Sequence, residues 1–273
     1  MQQLTEVDLV DQMIVRGFAS VPLDSGAVDQ LGRLYRRAMS FFAADSETKL
    51  RYGTPRRMVG YRPLGYSYAY SPDRRSLNDS FLYWKDRGIE IEHRAEIADF
   101  LTALESYRGV VVDVTLKLLE ILGDRYNYRR DIAFTKASLL QVNSFPGQLD
   151  DEFLQHRHED RVLFTLLWAS APGLELYRGS EVIPLIPRTG EMLVMPGSIL
   201  TAMTGGEIKP AYHHMRNHHH DGRKSIMYFV SPDIEHEITP YVSNAENLGI
   251  DIRELSVKNP QAFGLPPDFL TAR

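Results

Sequence analysis

The segment "HRHEDRVLFTLLWAS", residues 156–170, places two imidazoles and two carboxylates directly ahead of an apolar run. Seven of the nine histidines fall between residues 156 and 220: His156, His158, His213, His214, His218, His219 and His220. On an extended strand, side chains two residues apart project to the same face, so His158 and Asp160 can reach one ion. A further imidazole from another strand would complete one face of an octahedron and leave the remaining positions open. Two imidazoles with one carboxylate suit Fe(II), and thiolate ligation is excluded because the chain has no cysteine. Taken alone, the tract "HHMRNHHH" reads first as a solvated loop that binds stray metal weakly.

The elements that must hold such a cluster follow from periodicity. In "AVDQLGRLYRRAMSFFAADSETKLRY", Leu31, Leu34, Tyr35, Ala38, Phe41 and Phe42 recur at helical spacing, with Arg33, Arg36 and Arg37 on the wet side. A second helical pattern starts at Glu96, with Phe100, Leu101, Leu104, Val111, Leu118, Leu119 and Leu122 as its buried stripe. Between them, "GYRPLGYSYAYSPDRRSLNDSF" reads as a loop or irregular strand by its glycine, proline, serine and tyrosine content. From Ala137 onward the runs "ASLLQVN", "RVLFTLLW", "GLELYR", "EMLVMP" and "SIMYFV" are short, β-type and separated by turn residues. That spacing predicts an antiparallel sandwich or barrel rather than βαβ units. An α+β jelly roll with a helical N-terminal half packed on its sheet is the expected architecture.

The ordered motifs resemble the Fe(II)/2-oxoglutarate-dependent dioxygenases of the isopenicillin N synthase-like family. His158-Glu159-Asp160 leads into "RVLFTLL"; "GEMLVMPGSIL" follows, then His213, and ten residues later Arg223-Lys224-Ser225 before "IMYFVSP". The spacing to Arg223 selects His213 over His214 as the distal histidine. The N-terminal segments "RGFASVPLDSG", "FFAADSETK" and "GYRPLG" are similar to the family's helical cap. The resemblance implies a double-stranded β-helix core, Fe(II) held by His158, Asp160 and His213, and 2-oxoglutarate as co-substrate. It further implies that Arg223 offers a planar fork to the distal carboxylate of 2-oxoglutarate, with Ser225 adding a donor. Asn143 is the third residue expected at the co-substrate. Where much of the family carries Asn-x-Tyr, this chain has Asn143-Ser144-Phe145, so the hydroxyl is lost and binding leans on Arg223 and Ser225. A carboxylate at 160, where related halogenases carry a small residue, argues for oxygen rather than halogen transfer.

These expectations amount to one domain over residues 1–273. A mostly helical cap spans 1–136, the jelly-roll core 137–235 and a C-terminal extension 236–273. The expected activity is O2-dependent hydroxylation, desaturation or cyclisation of a small molecule, with release of succinate and CO2. Tyr66, Tyr68, Tyr70 and Arg74 of the tyrosine-rich loop are the candidates to meet the substrate. A 2-oxoglutarate-independent Fe(II) oxidase on the same scaffold and a non-enzymatic metal-binding jelly roll are the alternatives. The net charge of -5 gives no electrostatic reason to expect nucleic acid or an anionic membrane as partner. An acidic start without a signal-peptide pattern and the absence of a membrane-length apolar run point to a cytoplasmic location. A monomer or small homo-oligomer is the expected state.

Overall fold

Asp24 accepts a hydrogen bond from the Ala27 amide at 2.8 Å and so starts a helix whose buried stripe includes Leu31, Leu34, Ala38, Phe41 and Phe42. The same device ends the pattern early. Asp45 accepts from the Thr48 amide and hydroxyl at 2.8 and 2.7 Å, and this second cap splits the long apolar periodicity into two helices. The computed structural model describes residues 6–54, 59–67, 74–84, 94–186, 188–234, 238–242 and 250–258.

In chain order the elements are α1 (Glu6–Arg16), β1 (Ala19–Pro22), α2 (Ser25–Phe42), α3 (Ser46–Leu50), β2 (Gly60–Arg62), β3 (Asp79–Tyr83) and α4 (Ala98–Arg125). There follow β4 (Leu139–Phe145), β5 (Phe153–His158), β6 (Phe164–Ala169), β7 (Leu174–Arg178), β8 (Glu181–Pro184) and β9 (Glu191–Pro196). The chain continues with α5 (Ser198–Met203), β10 (His213–Arg216), β11 (Arg223–Val230) and α6 (Ile252–Lys258).

Two antiparallel sheets form the jelly roll. The larger has seven strands in the order β1-β9-β6-β11-β4-β3-β2, and the smaller has four in the order β5-β10-β7-β8. Strand alternation gives the larger sheet two different faces. Ile226, Tyr228 and Val230 of β11 join the core packed against the helices, whereas Met227 joins the core of the jelly-roll interior. Phe41 is the hub of the helix-side core, with its ring centroid within 5.0–6.1 Å of those of Phe42, Tyr52, Tyr61, Phe81 and Phe100.

The N-terminal half is less purely helical than periodicity suggests. It supplies β1 at one edge of the seven-stranded sheet and β2 and β3 at the other. Runs of three to five residues are too short for an alternating pattern to emerge, and β1 and β3 pair with β9 and β4, far along the chain. Among the described residues no helix is long and apolar enough to cross a membrane.

Candidate metal centre and co-substrate pocket

β5 and β10 are neighbours in the smaller sheet, and their register sets His158 directly opposite His213. The two ring centroids are 4.3 Å apart. One donor atom from each of His158, His213 and Asp160 lies within 4.8 Å of the others. Each imidazole is already tied at Nδ1, His158 to the His156 carbonyl at 2.7 Å and His213 to the Ala211 carbonyl at 2.8 Å. A carbonyl can only accept, so Nδ1 carries the proton and Nε2 presents its lone pair on both rings. Burial, reinforced by the neighbouring His213, pushes the His158 pKa down to about 4. The ring is therefore neutral at physiological pH, the form that binds a metal.

Asp160 corrects one detail of the sequence reading. β5 ends at His158, so Asp160 does not share an extended strand with it but sits in the connection to β6. Other contacts aim it instead. The buried hydroxyl of Thr165 on β6 donates to Asp160 Oδ2 at 2.6 Å, which leaves Oδ1 3.9 Å from His158 Nε2. The backbone is clamped too, because the Ser198 amide donates to the Asp160 carbonyl at 3.0 Å and the Ile199 amide to the Val162 carbonyl at 3.1 Å. Glycine is required at 197, since a Cβ there would lie 2.2 Å from the Val162 oxygen and 2.7 Å from the Asp160 oxygen. Thr165→Val keeps the shape and removes the donor. By the usual loss for such outer contacts, it should lower Fe(II) affinity by about 10- to 100-fold with little change in fold, checked by anaerobic Fe(II) titration.

Inside the roll, a second cluster faces the same interior. Arg223 pairs with Phe145 across β11 and β4, and Ser225 with Asn143. Arg223 is buried, and its Nε donates to the Ala171 and Pro172 carbonyls, both at 3.0 Å. Its Nη1 and Nη2 have no partner among the described residues, nor do Ser225 Oγ and Asn143 Nδ2. Asn143 Oδ1 accepts from Gln141 Nε2 at 2.8 Å, so the amide nitrogen is the atom left over for another partner. The Arg223 guanidinium carbon lies 5.0 Å from the Phe145 ring centroid. Burial pushes the arginine pKa down to about 10, which still leaves it a cation at neutral pH. Orphaned donors of this kind are costly unless a ligand satisfies them, and four on two adjacent strands are a negative template for an oxyanion.

The neighbouring histidine points the other way. His214 Nε2 meets Glu175 Oε2 at 2.7 Å, and Arg216 holds the same carboxylate at 3.0 Å. Phe153 and Tyr177 pack on the His214 ring. His218, His219 and His220 are exposed. Of the loop candidates, Tyr66 is exposed with its ring 5.6 Å from the Arg62 guanidinium carbon, and Arg74 is exposed. Tyr68 and Tyr70 lie outside the described residues. Thr165, Gly197 and Arg62 gave no signal of their own: a threonine in a strand, a glycine in a turn and a lone arginine are common in any sequence.

Residues 136–232 of the chain, which carry the His-Asp-His cluster, match the model of the 2OG-Fe(II) oxygenase superfamily. Gibberellin 3-beta-dioxygenase 1 of Oryza sativa subsp. japonica is 25% identical over 242 residues, 79% of this chain and 62% of that protein. Gibberellin 20 oxidase 5 of Arabidopsis thaliana is 27% identical over 221 residues, 73% of this chain and 56% of that protein. The chain thus spans about three-fifths of the length of these relatives. The fold matches a Caulobacter crescentus 2OG-Fe(II) oxygenase family structure at TM-score 0.78 and 21% identity, covering 93% of each chain. It also matches a full-length Neurospora crassa protein in complex with alpha-KG at TM-score 0.75 and 18% identity, covering 93% of this chain and 90% of that one.

Proposed function

We propose that the protein is an Fe(II)/2-oxoglutarate-dependent oxygenase that hydroxylates a small molecule, with His158, Asp160 and His213 as the iron ligands. The observation that carries this reading is the pairing of two donor sets that both face the jelly-roll interior. One comprises two Nε2 lone pairs and a carboxylate; the other comprises the unsatisfied Arg223, Ser225 and Asn143 donors. The first fits Fe(II) and leaves coordination positions open. The second fits the distal carboxylate of 2-oxoglutarate, with Arg223 Nη1 and Nη2 as the fork.

Fe(II) and 2-oxoglutarate, when bound, supply the oxidising power that puts one atom of O2 into the substrate and the other into succinate, with loss of CO2. The chain's own residues bind, orient and exclude. The Nδ1 contacts hold both rings at fixed tilt, Thr165 fixes the carboxylate, and Arg223 and Ser225 set how far the co-substrate enters. Leu154, Leu174, Leu176, Met215 and Met227 line the jelly-roll interior as an apolar wall. Water exclusion strengthens each electrostatic contact inside and suppresses side reactions of the oxidant.

Succinate release tests the proposal. Purified protein with Fe(II), 2-oxoglutarate and O2 should form succinate, and a true substrate should raise that rate and gain oxygen or lose hydrogen by mass. Substrate oxidation without 2-oxoglutarate would establish the oxidase alternative. Absence of O2 consumption under every condition would leave the metal-binding jelly roll. A chlorinated product in chloride buffer would contradict the assignment of Asp160 as a ligand.

A further inference from the structure

Away from the metal centre, the helical side of the molecule concentrates positive charge. Arg33, Arg36 and Arg37 lie on the wet side of α2, and all three are exposed. Where α2 packs along α4, these side chains wall a groove of about 480 Å³. Thr102, Ala103 and Ser106 of α4 form the facing wall. Side chains that short do not reach across, so the seam stays open to solvent. The one carboxylate lining the groove is Asp99, in the first turn of α4, and it pairs with Arg37 at 2.9 Å. The guanidinium groups of Arg33 and Arg36 have no hydrogen-bond or ion-pair partner among the described residues. Three cations against one carboxylate leave an excess of positive charge in the groove. Arg33 stands three and four positions before Arg36 and Arg37, and like charges at that spacing destabilise a helix. The chain as a whole is acidic, with net charge -5, so the excess is local.

We propose that the α2–α4 groove binds a small anion with two linked phosphoryl groups, a diphosphate. The proposal is independent of the oxygenase reading. Side chains four apart on a helix stand about 5–6 Å apart at Cβ, so Arg33 and Arg37 can each meet one phosphoryl group. The planar fork of a guanidinium matches two phosphate oxygens at once. Thr102 and Ser106 are one turn apart on the facing helix and supply hydroxyl donors for the oxygens that remain. A monocarboxylate would leave positive charge uncompensated, and a dicarboxylate offers fewer acceptor oxygens. A long polyanion such as nucleic acid meets the net negative charge of the rest of the molecule. Free pyrophosphate and the diphosphate of a nucleotide present the same chemistry to this groove.

The test is calorimetric titration of the full chain, free of metal so that the anions have no iron to chelate. The probes are inorganic pyrophosphate, ADP, adenosine and succinate. Pyrophosphate and ADP should bind one per chain, and adenosine and succinate at least about tenfold more weakly. Equal affinity for pyrophosphate and ADP makes the free anion sufficient, whereas tighter ADP binding makes the ligand a nucleotide; both support the proposal. Arg33→Gln combined with Arg36→Gln should weaken pyrophosphate binding by about tenfold or more. Raising the salt concentration should weaken it as well, because the groups are exposed. Asp99→Asn frees Arg37 and removes the opposing charge, so it should tighten binding by about threefold, a gain that a merely structural role would not give. Arg223→Leu should leave the affinity within about twofold, since that cation belongs to the interior. No binding of pyrophosphate or ADP, succinate bound equally well, or full affinity in the double variant would each overturn the proposal. Loss of binding in Arg223→Leu would also overturn it, by placing the anion in the jelly-roll interior. If the double variant fails to fold, Asp99→Asn decides: unchanged or weaker binding sinks the proposal.

Discussion

His158→Ala, Asp160→Ala and His213→Ala should each lower turnover by more than about 100-fold, with Fe(II) affinity falling in parallel. Outer contacts to a metal ligand already cost about 10- to 100-fold, so removal of a ligand itself must cost more. The three donors are mutually within 4.8 Å, and no other group of this kind occurs among the described residues. His214 is next in sequence but lies on the opposite face of β10, held by Glu175. His214→Ala should therefore keep iron while lowering stability, since it hollows a site packed by Phe153 and Tyr177 and removes one partner of a buried carboxylate. Fe(II) titration and thermal unfolding of the four variants separate the two effects. His218→Ala and His220→Ala should change neither. Iron retained in His213→Ala and lost in His214→Ala would mean that the distal strand is one residue out of register.

That assignment shows what a sequence can carry and what it cannot. Arg223 and Ser225 share a face because they lie two apart on β11, and this is legible without a structure. The same rule applied to His158 and Asp160 leads to a strand that the structure ends at His158. Asp160 is aimed by Thr165, Ser198 and the close approach of Gly197, three long-range contacts with no periodic signature. The long stripes of α2 and α4 survive reading by eye because each buries one face over many turns. β2 and β3 do not: they are three and five residues long, β2 is held by β3, and β3 takes its strand character from β4, about sixty positions away in the chain. Arg62 is hidden for the same reason. Its register with Ser80, and through Ser80 with Asn143, depends on two strand pairings, and in sequence it is only the residue before a proline.

Arg223→Leu should weaken 2-oxoglutarate binding by about 30-fold or more. Truncating one partner of a buried charge pair typically loses roughly 2–5 kcal/mol, and about 1.4 kcal/mol corresponds to tenfold in affinity. The structure sharpens the expectation in a second respect. The guanidinium is buried, and Nη1 and Nη2 have no partner among the described protein groups, so Nε makes its hydrogen bonds within the protein. Leucine at this position gives up two Nε hydrogen bonds to the Ala171 and Pro172 carbonyls and removes the cost of a desolvated cation. Thermal unfolding of the ligand-free proteins should therefore differ little. The rise in Tm that saturating 2-oxoglutarate gives the parent protein should largely vanish in the variant, because a ligand stabilises only the state it binds. Phe145→Tyr is the complementary change. Its ring already lies beneath the guanidinium, and a hydroxyl there would add one donor toward the same carboxylate, so a modest gain in affinity is expected. Anaerobic titration of 2-oxoglutarate into the Fe(II) protein, followed by its charge-transfer absorbance, measures all three proteins on one scale. Equal affinity in the parent and Arg223→Leu would place the co-substrate elsewhere in the cavity. Loss of substrate affinity alone would assign Arg223 to the substrate and favour the 2-oxoglutarate-independent oxidase.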